Sequence, residues 1–258
     1  VGTSMLDGGA QNRVDRLKKL RLLLDEIDGS KVTLIGDTRL DRYHHGYSNN
    51  LNSTAPVPVM KVIRSEESPG ASAHIALGLN SLGMDVRFHC SIGDDPEGSS
   101  ISNMLSTEGI STDQIIVVQS RKTLTKIRFY GSRESLLERS QILLQADRGP
   151  QEPLSSDVSE ALATSALESL EDSCALVISD YDKGVIDASG SHLLIRKAHK
   201  IGIPVIVDPK LTGLEKSRNA TVVLFEIRGL ELLRRRSMLE GSRETATHLI
   251  ERYGWDSL

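Results

Sequence analysis

The chain has 258 residues, with 31 lysines and arginines against 35 aspartates and glutamates for a formal charge of −4. That length suits one large α/β domain or two modest ones and needs no metal or disulfide staple. The charge balance gives no reason to expect nucleic acid as a main partner, and no apolar run approaches the roughly 18 to 20 residues of a membrane span.

The elements follow in order. Val14, Leu17, Leu20, Leu24 and Ile27 recur at spacings of three and four, which predicts an N-terminal helix within residues 1–29 with one apolar face. KVTLIGD, from Lys31, is an apolar run without alternation, the pattern of a strand buried on both sides. Ser48 to Pro58 is loop-like, and Val57 to Arg64 alternates as a half-buried strand does. SPGASAHIALGLNSLGM turns at Pro69-Gly70 into a helix, DVRFHCSIG is a strand, and ISNMLSTEG is a helix stopped by Gly109. Asp94 and Asp95 before Pro96 read as a helix cap. Strand, helix and strand again imply parallel crossovers.

IIVVQ, LTKIRFYG and ILLQAD then interrupt the rhythm. With the segment at about 50–66, these strands at about 115–147 predict a small sheet, usable as a lid or as a dimer surface. Alternation resumes with a helix over residues 155–170, the strand of CALVISDYDKG, a helix over 189–201, the strand IPVIVDPK, the strand TVVLFE and a helix over 245–253. The closing WDSL reads as the entrance to a further element. The fold expected over residues 30–258 is a mostly parallel sheet covered by helices. Arg234, Arg235 and Arg236 read as a solvated helix face, and the two cysteines, Cys90 and Cys174, as buried free thiols without metal-ligand spacing. Free thiols fit a reducing compartment, cytoplasm or organelle interior, and a start at Val1 leaves room for a removed targeting segment.

Three strands end in charged loops: Asp37 with Asp41, Asp180 with Lys183, and Asp208 with Lys210. In open parallel sheets ligands bind beyond the carboxyl ends of the strands, so these loops are expected to converge. The residue types suit a polyhydroxylated, phosphorylated substrate: Asp41 accepts from hydroxyls, while Lys183 or Lys210 neutralises phosphate. Lys126 and Arg128 share a strand face and reach the same site if the small sheet covers it. Asp37 reads as a turn or helix cap, His44 and His45 as ordinary polar residues.

GDTRLDRY, STAPVPVMKV, SPGASAHIALGLNSLGM, TKIRF, ISDYDKGV and IPVIVDPK, in that order, resemble the ribokinase-like (PfkB) carbohydrate kinases, most closely the heptose 7-phosphate kinase domain. The resemblance implies a main α/β domain, a small β-sheet lid that often dimerises, and ATP-dependent phosphorylation of a sugar hydroxyl with Mg²⁺. It places Asp41 and the Gly70 loop on substrate hydroxyls, Lys126 near a substrate phosphate, and Asp180, Lys183, Asp208 and Lys210 on the floor of the site. Departures accompany it. The family's glycine-glycine-alanine-alanine-asparagine run reads Gly70, Ala71, Ser72, Ala73, His74, and the asparagine and glutamate tied to metal and phosphate read Glu226 and Gly229. No GxGD motif, the source of the family's catalytic aspartate, occurs in the 258 residues. The expectation is therefore a heptose 7-phosphate kinase-like chain that is truncated and degenerate, with ATP and Mg²⁺ as cofactors if it is active. The alternative is an inactive pseudokinase serving a protein complex, with partners ranging from a sugar phosphate to a second copy or another protein.

Overall fold

The computed structural model describes residues 4–119, 121–132, 140–150 and 152–258, with side chains of the first helix from residue 12. Residues 1–3 of the expected N-terminal helix and 133–139 of the expected lid region lie outside the described residues.

The run KVTLIG forms β1 (Lys31–Gly36), and five of its six residues are buried. Its side chains alternate between two cores: Val32 and Leu34 join one with Phe88 and Ile101, Ile35 the other with Ile178, Leu194 and Trp255. A strand covered on both faces needs apolar residues at every position, which is why no alternation shows in the sequence. β1 is central in a six-stranded sheet with β4 (Asp85–Gly93), β5 (Ile115–Val118), β8 (Leu176–Asp180), β9 (Val205–Pro209) and β10 (Val222–Val223). The order is β10-β9-β8-β1-β4-β5, and every pair is parallel. The helices are α1 (Ser4–Ile27), α2 (Ser72–Ser81), α3 (Pro96–Thr107), α4 (Ser156–Ser169), α5 (Ala188–Ile201), α6 (Ile227–Arg236) and α7 (Ser242–Tyr253).

A second sheet, ordered β3-β2-β6-β7, is built from two separate insertions, β2 and β3 between β1 and α2, and β6 and β7 between β5 and α4. It consists of β2 (Thr38–Leu51), β3 (Pro58–Ala71), β6 (Thr125–Ser132) and β7 (Gln141–Arg148). Two sequence expectations change here. IIVVQ does not enter this sheet: β5 adds in parallel to β4 at the edge of the main sheet, since its residues continue the main-sheet register from Cys90↔Ile115. Nor does the segment near Val57 alternate: from Pro58 to Glu67 nearly every residue of β3 is exposed, so neither face of that stretch is covered among the described residues, and only its last residues are buried.

Pro69-Gly70 is not a turn. Both residues end β3, paired with Leu40 and Arg39, and the chain reverses at Ala71 instead. Ala71 has φ 55° and ψ −130°, a conformation that glycine adopts freely and a Cβ makes costly. Replacing Ala71 by glycine relieves that strain at the cost of a looser unfolded chain, and the net expected result is a stabilisation of about 1 kcal/mol in urea unfolding.

Other expectations meet the structure as follows. Asp95 caps α3: its Oδ1 accepts from Gly98 N and Thr123 Oγ1, its Oδ2 from Thr123 N. Burial opposes its charge, but these bonds outweigh burial and hold its carboxyl below the usual value. Arg234 and Arg235 pair with Glu231 on the surface of α6, as a solvated helix face does. Cys90 is buried, but Cys174 is exposed, because it precedes β8 in the connection rather than lying within the strand. The leucine face of α1 is likewise exposed: Leu17, Leu20 and Leu24 reach solvent, and only Ile27 packs on the core. TVVLFE contributes only the two-residue β10, and Ser257 of the closing WDSL bridges it in parallel.

Candidate active site

The chain builds the main sheet outward from β1 through β4 to β5, then returns to the other side of β1 and continues through β8, β9 and β10. The order reverses between β1 and β8, and in such sheets the crevice beyond the strand ends at that reversal is where ligands bind. A cavity of about 380 Å³ opens there, between the ends of β1, β8 and β9 and the second sheet.

Asp37 organises its base. Its carboxylate is buried and accepts three backbone N–H bonds from the loop after β8: Tyr181 at 2.9 Å, Lys183 at 3.1 Å and Val185 at 3.2 Å. Its own carbonyl accepts from Ser72 N and Ser72 Oγ at the start of α2. One residue thus fastens two chain segments to the end of β1, a capping role across 148 residues of sequence. Burial raises its pKa against the pull of those N–H groups, and nearby Asp180 adds to the rise.

Five cationic side chains line the cavity, Arg39, Lys126, Arg148, Lys183 and Lys210, against two carboxylates, Asp37 and Asp147. Strand register assembles part of this set: Asp41 pairs with Lys126 and Lys126 with Asp147, so three strands set one row of charges. Partial burial pulls the Lys126 pKa down and Arg39 adds to that, while Asp147 opposes it. Tyr181 stands between two of the cations, with Lys210 Nζ 4.2 Å and Arg39 Cζ 5.5 Å from its ring centre. Burial raises its hydroxyl pKa, and Asp208 adds to the rise.

The sequence-predicted residues divide. Lys126, Lys183 and Lys210 line the cavity together. Asp41 lies outside the lining, buried behind Arg39, whose Nε sits 2.9 Å from Oδ1, with Arg128 Nη1 at 3.6 Å. Gly70 allows that placement, since a Cβ there would collide with the Asp41 carboxylate. Asp180 is buried and turned under the 3-10 turn Leu211–Ser217, where Lys216 Nζ approaches Oδ2 to 3.0 Å. Asp208 is half-buried outside the lining, its pKa raised by burial and by Glu226 and Asp180 against Lys210. His74 on α2 and Glu226 at the start of α6 are exposed and not among the lining residues, although the charge of Glu226 is felt by Tyr181, which is one of them.

Arg39, Tyr181, Asp147 and Arg148 were missed by sequence reasoning. Arg39 had a signal: Asp37, Arg39 and Asp41 recur at period two and share a face. Arg148 had none, because its place depends on how β7 pairs with β6. Among the described residues, no three His, Cys, Asp or Glu side chains converge to hold a metal ion, and no helix is long and apolar enough to cross a membrane.

Residues 30–254 match the family profile of the pfkB carbohydrate kinases. The chain belongs to that family. It is similar to the bifunctional protein HldE of Actinobacillus pleuropneumoniae serotype 5b, 33% identical over 198 residues that cover 77% of this chain and 39% of that protein. It is also similar to HldE of Escherichia coli O157:H7, 32% identical over 238 residues, or 90% of this chain and 45% of that protein. The chain thus spans less than half the length of these curated relatives. The fold matches phosphofructokinase-2 from Escherichia coli in complex with fructose-6-phosphate, with a TM-score of 0.62, 18% identity, and coverage of 88% of this chain and 72% of that one. Arabidopsis thaliana ribokinase complexed with ribose and ATP matches with a TM-score of 0.61 at 16% identity, over 88% and 70% of the two chains. This PfkB chain therefore has a ribokinase-like α/β fold and is related to the heptose kinase domain of HldE.

Proposed function

We propose that this PfkB domain binds a sugar phosphate, D-glycero-D-manno-heptose 7-phosphate, in the cavity between its two sheets, as the acceptor of an ATP-dependent kinase. The observation that carries this reading is the cavity's charge: five cations face two carboxylates, one of them already committed to three backbone donors. Among the described residues neither Lys126 nor Lys183 has a carboxylate within ion-pair distance, so both ammonium groups are available to phosphate oxygens. PfkB kinases generally use ATP with a divalent metal, and ATP supplies the transferred phosphoryl group when bound. The described carboxylates do not make a resident metal site, so the residues of this chain are assigned only to holding and orienting the acceptor.

Calorimetric titration with heptose 7-phosphate tests the reading. Binding is expected to exceed that of unphosphorylated heptose, and Lys126→Ala to weaken it tenfold or more, the scale of one charge-assisted hydrogen bond of about 1.5–3 kcal/mol. Equal affinity for the two sugars would discard the phosphate assignment.

A second reading, a noncatalytic pseudokinase that senses the sugar phosphate, is supported by Asp41: its carboxylate is engaged by Arg39 and Arg128 rather than presented to the cavity. ATP turnover that depends on heptose 7-phosphate would remove it. The exposed Val59, Val62, Ile142 and Leu144 of the second sheet support a contact surface for another copy or another protein.

A further inference from the structure

Glu97 lies in the first turn of α3 with its side chain only 9% exposed. Two guanidinium groups from the second sheet converge on its Oε1: Arg148 Nη2 of β7 at 2.7 Å and Arg42 Nη2 of β2 at 3.4 Å. Among the described residues, every ion pair that runs from the second sheet to the rest of the molecule ends on Glu97. The two arginines differ in what else they have. Arg42 also pairs with Glu67 at 2.6 Å, within its own sheet. Arg148 has no second carboxylate among the described residues, its side chain is half exposed, and it lines the cavity.

A guanidinium carries five N–H donors in a planar fork, so binding a carboxylate through one nitrogen leaves donors for a second oxyanion. A long side chain at an exposed rim otherwise samples many rotamers, and ordering it on binding weakens affinity. An already anchored arginine avoids much of that loss. We propose that Glu97 is a positioning residue for the anionic group of the substrate: it fixes Arg148 at the cavity rim, so that the donors not used by Glu97 serve the sugar's phosphate. The inference rests on the sugar-phosphate reading above and adds to it the residue that sets discrimination between phosphorylated and neutral sugar.

Two effects of Glu97 oppose each other. Its negative charge near the rim repels phosphate, while its hold on Arg148 prepares a phosphate contact. Two guanidinium groups already offset that charge, so the positioning effect wins. Glu97→Gln, which keeps the size and removes the charge, reads the sign directly. Calorimetry on the whole chain, with heptose 7-phosphate and unphosphorylated heptose as probes, should show about tenfold weaker binding of the phosphorylated sugar and less than twofold change for the neutral one. Arg148→Met should produce the same selective loss, and the double variant no further loss, since the pair acts as one unit. Arg148→Met leaves Glu97 paired with Arg42 and carries the test if Glu97→Gln does not fold.

Unchanged or tighter phosphosugar binding in Glu97→Gln would overturn the positioning role while leaving the sugar-phosphate reading intact, as would full affinity in Arg148→Met. Equal loss for both sugars would reduce Glu97 to a structural tie. A wild-type protein that fails to prefer the phosphorylated sugar would remove both this role and the reading it rests on.

Discussion

Asp37→Ala is expected to lower the unfolding free energy by about 3–5 kcal/mol. The substitution leaves the N–H groups of Tyr181, Lys183 and Val185 without their acceptor, and each buried unsatisfied donor costs about 1–3 kcal/mol. Val185 is buried and cannot turn to water, whereas Tyr181 and Lys183 lie at the cavity and recover part of the loss by hydration, which places the expected loss toward the lower end of the roughly 3–9 kcal/mol that three such donors could cost. Asp37→Asn keeps one acceptor oxygen and sheds the cost of a buried charge, so it should fall between wild type and alanine. Urea unfolding of the three proteins measures this, and an alanine variant within 1 kcal/mol of wild type would mean the loop is held by its other contacts. The same variant should also lose affinity for phosphorylated sugar, because the loop that Asp37 fastens carries Lys183 and Tyr181.

Acidification from pH 6.5 to about 4 should cost the fold about 3 kcal/mol through His89 alone. This histidine is fully buried in β4, its Nε2 3.1 Å from Ser169 Oγ and its Nδ1 without a described partner. Burial, and then the neighbouring positive charge of Arg87, lower its pKa from 6.5 to about 4. The unfolded chain therefore takes up the proton near 6.5 and the folded one only near 4. Stability falls as pH drops through that window and is flat for this group below it, at about 1.4 kcal/mol per unit of pKa difference. Asp37 and Asp208 act in the opposite direction: their raised pKa values mean that the folded state gains a proton before the unfolded state does, from above 3.8 downward. The difference between wild type and His89→Gln isolates the histidine. Unfolding curves at several pH values should show the gap between the two proteins narrowing, or reversing in favour of His89→Gln, as pH falls from 6.5 to 4. A constant gap would mean that His89 titrates normally in the folded state.

Much of the fold was legible because its causes are local. Apolar runs with β-branched residues, bounded by glycine and charge, marked β1, β4, β8 and β9, and the alternation with helices implied a parallel sheet. IIVVQ failed because a short edge strand has the same composition whichever sheet accepts it, and Pro69-Gly70 failed because the turn chemistry expected of glycine falls on Ala71. Cys174 and the leucines of α1 failed for one reason: apolar character indicates what can be buried, but burial requires a surface to pack on, and none covers them among the described residues.

For the candidate site, residue type and position at strand ends pointed to Lys183 and Lys210, a shared strand face in the small sheet pointed to Lys126, and all three line the cavity; the ordered motifs were enough to reach the PfkB family. The sequence alone could not assign the carboxylates. Asp37, Asp41 and Asp180 look alike at strand ends, yet one fastens a loop, one is held behind two arginines and one is turned under a 3-10 turn against Lys216. Each assignment depends on a partner brought in by strand register or loop path, from 2 to 148 residues away, and a side chain's charge carries no information about which partner reaches it first. Tertiary structure decided that, because Coulomb attraction and hydrogen bonding act over a few ångströms of space regardless of separation along the chain.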